Sequence, residues 1–129
     1  VEAYARFTEV GDSIGHDGGL EAARLAEVAT GPILASTVEG FSKWVEDGWT
    51  QVGDRTFHSA SLQQTTPGPS AAVVIYVCED ISGVDVVDKS GRSVVSLDRA
   101  DSNYLLVGFD LAGAKLLVSS RDRWDERAC

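Results

Sequence analysis

The sequence predicts an α+β domain in which three N-terminal helices pack on an antiparallel sheet of about five or six strands. Apolar residues recur every three or four positions up to Gly48 and fall into strand-like runs after it. The run AAVVIYVCE at 71–79 is almost wholly apolar and rich in β-branched residues, as a central strand requires. Connections between the strand-like segments are short, so neighbours should be antiparallel. Helices segregated ahead of strands place the helices on one face of the sheet. The 129 residues suffice for a single domain spanning 1–129.

Each element has a local reason. Tyr4, Phe7, Val10 and Ile14 form one helical face over 1–14, which Gly15, Gly18 and Gly19 interrupt. LEAARLAEVA at 20–29 is built from strong helix formers. Thr30 is a candidate N-cap with Pro32 in the first turn, and Leu34, Val38, Phe41 and Val45 then repeat up to Asp47-Gly48. A strand is expected over Phe57–Gln64, after a turn or short strand at Val52–Arg55. A turn follows at Thr66-Pro67-Gly68-Pro69. Val84–Val87 and Ser93–Ser96 flank Asp88-Lys89-Ser90-Gly91 as a hairpin. Strands over 103–111 and 114–120, joined at Ala112-Gly113, complete the sheet.

Parity along the central strand sets Val73, Ile75 and Val77 on one face and Val74, Tyr76 and Cys78 on the other. The first set reads as core. The second is also apolar and needs its own cover. A C-terminal tail bringing Trp124 across the sheet would supply it, and a homodimer packed sheet to sheet is the competing cover.

The net charge of −9 and the lack of a basic patch argue against a nucleic-acid partner. Arg121, Arg123 and Arg127 interleave with Asp122, Asp125 and Glu126 and read as a solvated, charge-mixed tail. No apolar run approaches the roughly 18–20 residues of a membrane span. The chain has no methionine and begins inside a helical pattern. A removed signal peptide or lipoprotein leader is therefore expected upstream, although a chain boundary chosen by design gives the same observation.

Cys78 and Cys129 are too distant in sequence for a redox or zinc CxxC motif. Two free thiols or one disulfide remain. A chain-terminal Cys that packed nowhere would be a reactive liability, so the disulfide is the expectation, and with it an oxidising compartment.

Three helices followed by a strongly curved antiparallel sheet resemble the NTF2-like (cystatin-like α+β cone) superfamily. The stretches FSKWVEDGWTQVGDRTF, VVIYVCEDISGVDVVDKSGRSVVSLDRADS and LLVSSRDRWDERAC resemble secreted proteins and lipoproteins of high-GC Gram-positive bacteria. In these a strand Cys is followed by Asp and Ser, then by a V-D-x-x-G-x-S hairpin, and the chain closes on Trp and a terminal Cys. Eight arginines against three lysines suit a high-GC genome. The resemblance implies an envelope location, lipid-anchored upstream of residue 1, and brings no catalytic residues with it.

Enzymes of the NTF2-like superfamily use His with Asp, or Tyr with acids, inside the cone. Here His58, Tyr76, Asp80 and Tyr104 are the candidates, with Tyr and acid polarising a carbonyl while His58 moves a proton. The chemistry needs all four on the concave face, and parity sets Tyr76 on the opposite one. Singly, His58 reads as a strand residue, Asp80 as a turn-former after its strand, and His16 as solvated in a Gly-rich turn. GHDGG at 15–19 lacks the Lys of a phosphate loop, and Asp80, Asp85 and Asp88 lack the spacing of a calcium loop. No metal or cofactor is expected. Phe41, Trp44 and Trp49 sit where a cone has its pocket mouth and either line an apolar ligand site or pack as core. The expected role is a non-catalytic binding or interaction function in the envelope. A carrier of a small apolar ligand and an isomerase- or dehydratase-like enzyme are the alternatives.

Overall fold

The computed structural model describes residues 1–63, 73–124 and 129. The expected turn at 66–69, the flanks of the strands around it, and Asp125, Glu126 and Arg127 of the tail lie outside the described residues. The chain is α+β. Helix α1 spans Glu2–His16, a 3-10 helix spans Ala22–Glu27, and α2 spans Gly31–Asp47. Six strands follow: β1 Thr50–Val52, β2 Thr56–Leu62, β3 Val73–Asp80, β4 Asp85–Val87, β5 Ser102–Ala112 and β6 Lys115–Arg123. They form an antiparallel four-stranded sheet in the order β2-β3-β5-β6 and a separate antiparallel pair, β1 with β4.

The expected second helix is the first correction. Although 20–29 favours helix by propensity, it is too short to nucleate one unaided. Ala22, Leu25 and Val28 are all buried at a spacing of three, which is one 3-10 turn per residue buried. Beyond it the backbone is claimed by the sheet: Val118 N donates to Val28 O at 2.9 Å and Thr30 N to Val118 O at 2.8 Å. Thr30 caps α2 without a side-chain hydrogen bond, and Pro32 sits in the first turn as expected.

The partner of β4 is the second correction. β4 pairs with β1, in register Thr50 to Val87 and Val52 to Asp85, rather than chiefly with 93–96. The hairpin itself is present in short form: Asp88 N donates to Arg92 O at 2.8 Å and Val94 N to Val86 O at 2.9 Å, around an antiparallel bridge from Val87 to Ser93 and a tight turn closed by Asp88. That carboxylate accepts from Ser90 N, Ser90 Oγ and Arg92 N, and these bonds hold it below the ordinary carboxylate range.

Parity in the main sheet is as expected. Ile75, Val77, Leu105, Val107, Phe109 and Val118 are buried beneath Tyr4, Phe7 and Ile14 of α1 and Leu25. On the outer face Tyr76 stacks on Tyr104 at 5.6 Å between ring centroids, and Trp124 meets Tyr76 edge-on at 5.8 Å. Cys78 and Cys129 form a disulfide with Cα atoms 5.6 Å apart. A closed loop of this length stabilises by about 4 kcal/mol in the chain-entropy picture. The terminal residue is thus fastened to the central strand, and the Trp124 ring covers part of the outer face.

Gly15 and Gly40 both lie inside helices but meet different surroundings. A Cβ on Gly15 would come within 2.9–3.0 Å of Gln51 Cβ and Cδ, whereas one on Gly40 meets nothing within 4 Å. Gly40→Ala should therefore stabilise the protein by about 0.5–1 kcal/mol through helix propensity. Gly15→Ala should destabilise it, because the buried Gln51 must move. Thermal unfolding of the two variants beside the parent checks both signs.

Candidate functional site

A cavity of about 250 Å³ lies under α2, between α1, the β1–β4 pair and β6. Its walls are apolar: Phe7, Leu25, Phe41, Trp44, Val84 and Val86. Phe41 and Trp44 lie one helical turn apart on α2 and meet edge-on at 5.1 Å. No residue of α2 is fully buried, although its pattern is amphipathic. Ile33, Leu34 and Val38 pack partly buried against the core, and Phe41 and Trp44 at the far end of the same face line the cavity. Trp49, expected beside these two, is not among the lining residues. Its backbone N–H closes α2 on Trp44 O at 3.0 Å, behind the left-handed Gly48.

The polar part of the cavity is made by Thr37, Gln51, Arg55 and Arg121. The two arginines are held by a buried network. Glu79 lies on the core-facing parity of β3, two residues after Val77, and is 3% exposed. Tyr4 donates its hydroxyl proton to Glu79 Oε1 at 2.9 Å, and Arg121 donates through Nη2 to Glu79 Oε2. Arg121 Nε also donates to the Tyr4 hydroxyl at 3.0 Å. Arg55 Nη1 stands 3.7 Å from Glu79 Oε1. On its other side Arg55 donates to Asp12, from Nε at 2.8 Å and from its backbone N at 3.1 Å. Gln51 Nε2 completes the set with a bond to Asp12 Oδ1 at 2.9 Å. Both guanidinium carbons stand 5.9 Å from the Phe7 ring centroid. Two cations and two anions thus share one half-dry layer, and every oxygen of both carboxylates accepts at least one hydrogen bond.

Burial pushes the Tyr4 phenol up to about 12; the Arg121 guanidinium opposes this shift and the Glu79 carboxylate adds to it. Tyr4 is therefore a neutral donor throughout the physiological range.

The four candidates for acid–base chemistry lie elsewhere. His58 is exposed on β2 and pairs in register with Cys78, whose partner on the other side is Tyr104. Tyr76 and Asp80 share the parity of Cys78. All four belong to the outer face beside the disulfide, away from the cavity. His58 Nδ1 lies 2.8 Å from Ser59 Oγ at a bulge where Ser59 takes φ 58. Asp80 forms a turn: its carboxylate accepts from Ser82 N at 2.8 Å, and the Ser82 bonds hold it below its ordinary range. Asp85 accepts from Val86 N and Ser93 Oγ. Among the described residues no group of three or more His, Cys, Asp or Glu is placed to hold a metal. His16 is the last residue of α1 and is not merely solvated. Its Nε2 lies 3.1 Å from Asp54 Oδ1 and 3.0 Å from Gly53 O, at the edge of an open polar groove.

Sequence reasoning missed Tyr4, Asp12, Gln51, Arg55, Glu79 and Arg121 as a set. One signal was readable: Glu79 continues the Val73, Ile75, Val77 parity, so an acid stood at a core position and required a buried cation. Arg121 is the corresponding correction, since it faces the core and is not part of a solvated tail.

No protein-family model and no curated protein sequence matches the chain. Among solved structures it is similar to the intermembrane space region of the chloroplast protein ARC6. The TM-score is 0.65 at 11% identity, over 95% of this chain and 91% of that one. The likeness is one of fold.

Tyr4→Phe removes one donor and one acceptor from the buried layer and should cost about 1–3 kcal/mol at neutral pH. The parent should also lose stability in alkali. The phenol titrates near 10 when unfolded and near 12 when folded. Its contribution is complete below pH 10 and is lost as pH rises to 12, about 2–3 kcal/mol in all. Denaturant unfolding between pH 9 and 12 checks this, and the Tyr4→Phe curve should lack that component.

Proposed function

We propose that this chain is a non-catalytic binding domain of an extracytoplasmic protein, built as an NTF2-like cone whose cavity receives a small ligand with an apolar body. The observation that carries the reading is the composition of the cavity. Its walls are aromatic and aliphatic, while both carboxylates behind it are hydrogen-bonded by arginine, tyrosine and glutamine donors. A general acid or base must face the substrate, and these carboxylates are turned to the arginines and do not line the cavity. At about 250 Å³ the cavity falls near the lower end of the roughly 300–1,000 Å³ range of ligand pockets, so the ligand is about one ring or a short chain in size.

The disulfide supports the compartment, because such bonds persist in oxidising surroundings. The solved neighbour, itself an intermembrane space region, fits the same picture. The resemblance to secreted proteins and lipoproteins of high-GC Gram-positive bacteria extends the proposal to a bacterial envelope, with a lipid anchor on a segment before Val1.

The neutral probe 3-phenylpropanol tests the binding reading by NMR titration of the oxidised protein. Shifts should concentrate on Phe41, the Trp44 indole, Val84 and Val86. Thr37→Leu, which adds volume inside the cavity, should weaken binding about tenfold with little change in melting temperature. Shifts confined to Tyr76, Tyr104 and Trp124, or no saturable shifts with either this alcohol or its carboxylate counterpart 3-phenylpropionate, would overturn the reading.

A further inference from the structure

We infer that the cavity selects a carboxylate: its ligand is a small aromatic or short-chain carboxylic acid whose anionic head docks on Arg121 and Arg55. The inference rests on the binding reading above and adds the ligand's chemical class.

The polar groups facing the cavity are arranged asymmetrically. Both guanidiniums line it, while Asp12 and Glu79, which neutralise them, do not. Arg121 commits Nε to Tyr4 and Nη2 to Glu79, and its Nη1 makes no hydrogen bond among the described residues. Arg55 commits Nε and its backbone N to Asp12, and Nη2 to the Thr8 carbonyl at 3.4 Å. Its Nη1, at 3.7 Å from Glu79, is beyond hydrogen-bond reach. Gln51 gives its amide N–H groups to Asp12 and Gly53, while its Oε1 lies against Gly15 of α1. The cavity therefore offers N–H donors from two fixed cations.

A planar guanidinium with spare N–H groups matches a carboxylate head, which accepts on two oxygens. The anchoring is already in place: each arginine is oriented by its own acid and by the Phe7 ring, so little side-chain freedom is lost on binding. The opposite wall, Phe41 and Trp44, provides the faces for one ring or a short chain. A cationic head would face the N–H edges of the two guanidiniums, while the acids that pair with them stand outside the lining. A neutral alcohol could fill the same volume but would accept fewer of the donors. The net charge of −9 opposes the approach of anions at long range, so the selectivity has to come from these direct contacts.

The test compares 3-phenylpropionate, 3-phenylpropanol and 3-phenylpropylamine on the oxidised full chain by calorimetry, with the arginine side-chain NH signals followed by NMR. The acid should bind at least about tenfold more tightly than the alcohol, move the Arg121 signals, and leave the amine unbound. In Glu79→Leu/Arg121→Met, which removes one charge of each sign, the advantage of the acid over the alcohol should shrink several-fold. The ligand series on the parent decides the matter if that variant fails to fold. Equal affinity for acid and alcohol, or a tighter alcohol, would overturn the carboxylate inference and leave the binding reading standing. Binding of none of the three would overturn both.

Discussion

The ion pair between Glu79 and Arg121, tied by the Tyr4 hydroxyl, is the interaction on which the inner half of the molecule depends. Glu79 belongs to the central strand, Arg121 to the last strand, and Tyr4 to the first turn of α1. Arg55 and Asp12 carry the same layer along α1 to the segment between β1 and β2. Taking these charges from water costs several kcal/mol per ion before any attraction is counted. Deleting one partner would leave a buried charge unmatched, so the four elements are held in one relative arrangement. An apolar core alone would tolerate α1 sliding along the sheet; a layer of directional bonds does not.

A space lies beside that arrangement. α2 packs Ile33, Leu34 and Val38 against the core, and beside that contact Phe41 and Trp44 bound a cavity whose lining also includes Arg55 and Arg121. The outer face is treated in the opposite way. There the apolar residues are covered by the Tyr76–Tyr104 stack, by Trp124, and by the disulfide that fastens the terminal residue to Cys78. One face is fastened covalently, and the other is tied together by a buried ion-pair network. The residues with the most familiar catalytic chemistry, His58, Tyr76, Asp80 and Tyr104, all fall on the covalently fastened face.

What could be read in the sequence was what depends on local period. The α1 and α2 stripes, the central strand and its parity, and the cysteine pairing follow from residue spacing and from the liability of a terminal thiol. The 3-10 helix was missed because the burial of Leu25 and Val28 and the capture of the backbone by Val118 are tertiary effects that override propensity. The partner of β4 was missed because a three-residue strand carries too little pattern to choose between a near neighbour and β1. The network was missed because its members are separated by up to 117 positions, as Tyr4 and Arg121 are. Arg121 in particular sits among alternating charges, which hides a core-facing residue inside a solvated pattern. Phe41 and Trp44 were found at the pocket because their helical spacing is local; Trp49 failed because Gly48 turns the chain away from that face.

A double-mutant cycle on Glu79 and Arg121 tests the central claim most directly. Denaturant unfolding would be measured for Glu79→Leu, Arg121→Met and the combined variant at neutral pH. Each single change should cost about 3–5 kcal/mol by leaving a buried charge unpaired. The double should cost less than the sum by at least about 1.5 kcal/mol. Small losses that simply add would mean that the two side chains do not share a buried, mutually dependent site, and the account of how the inner layer is held together would fail.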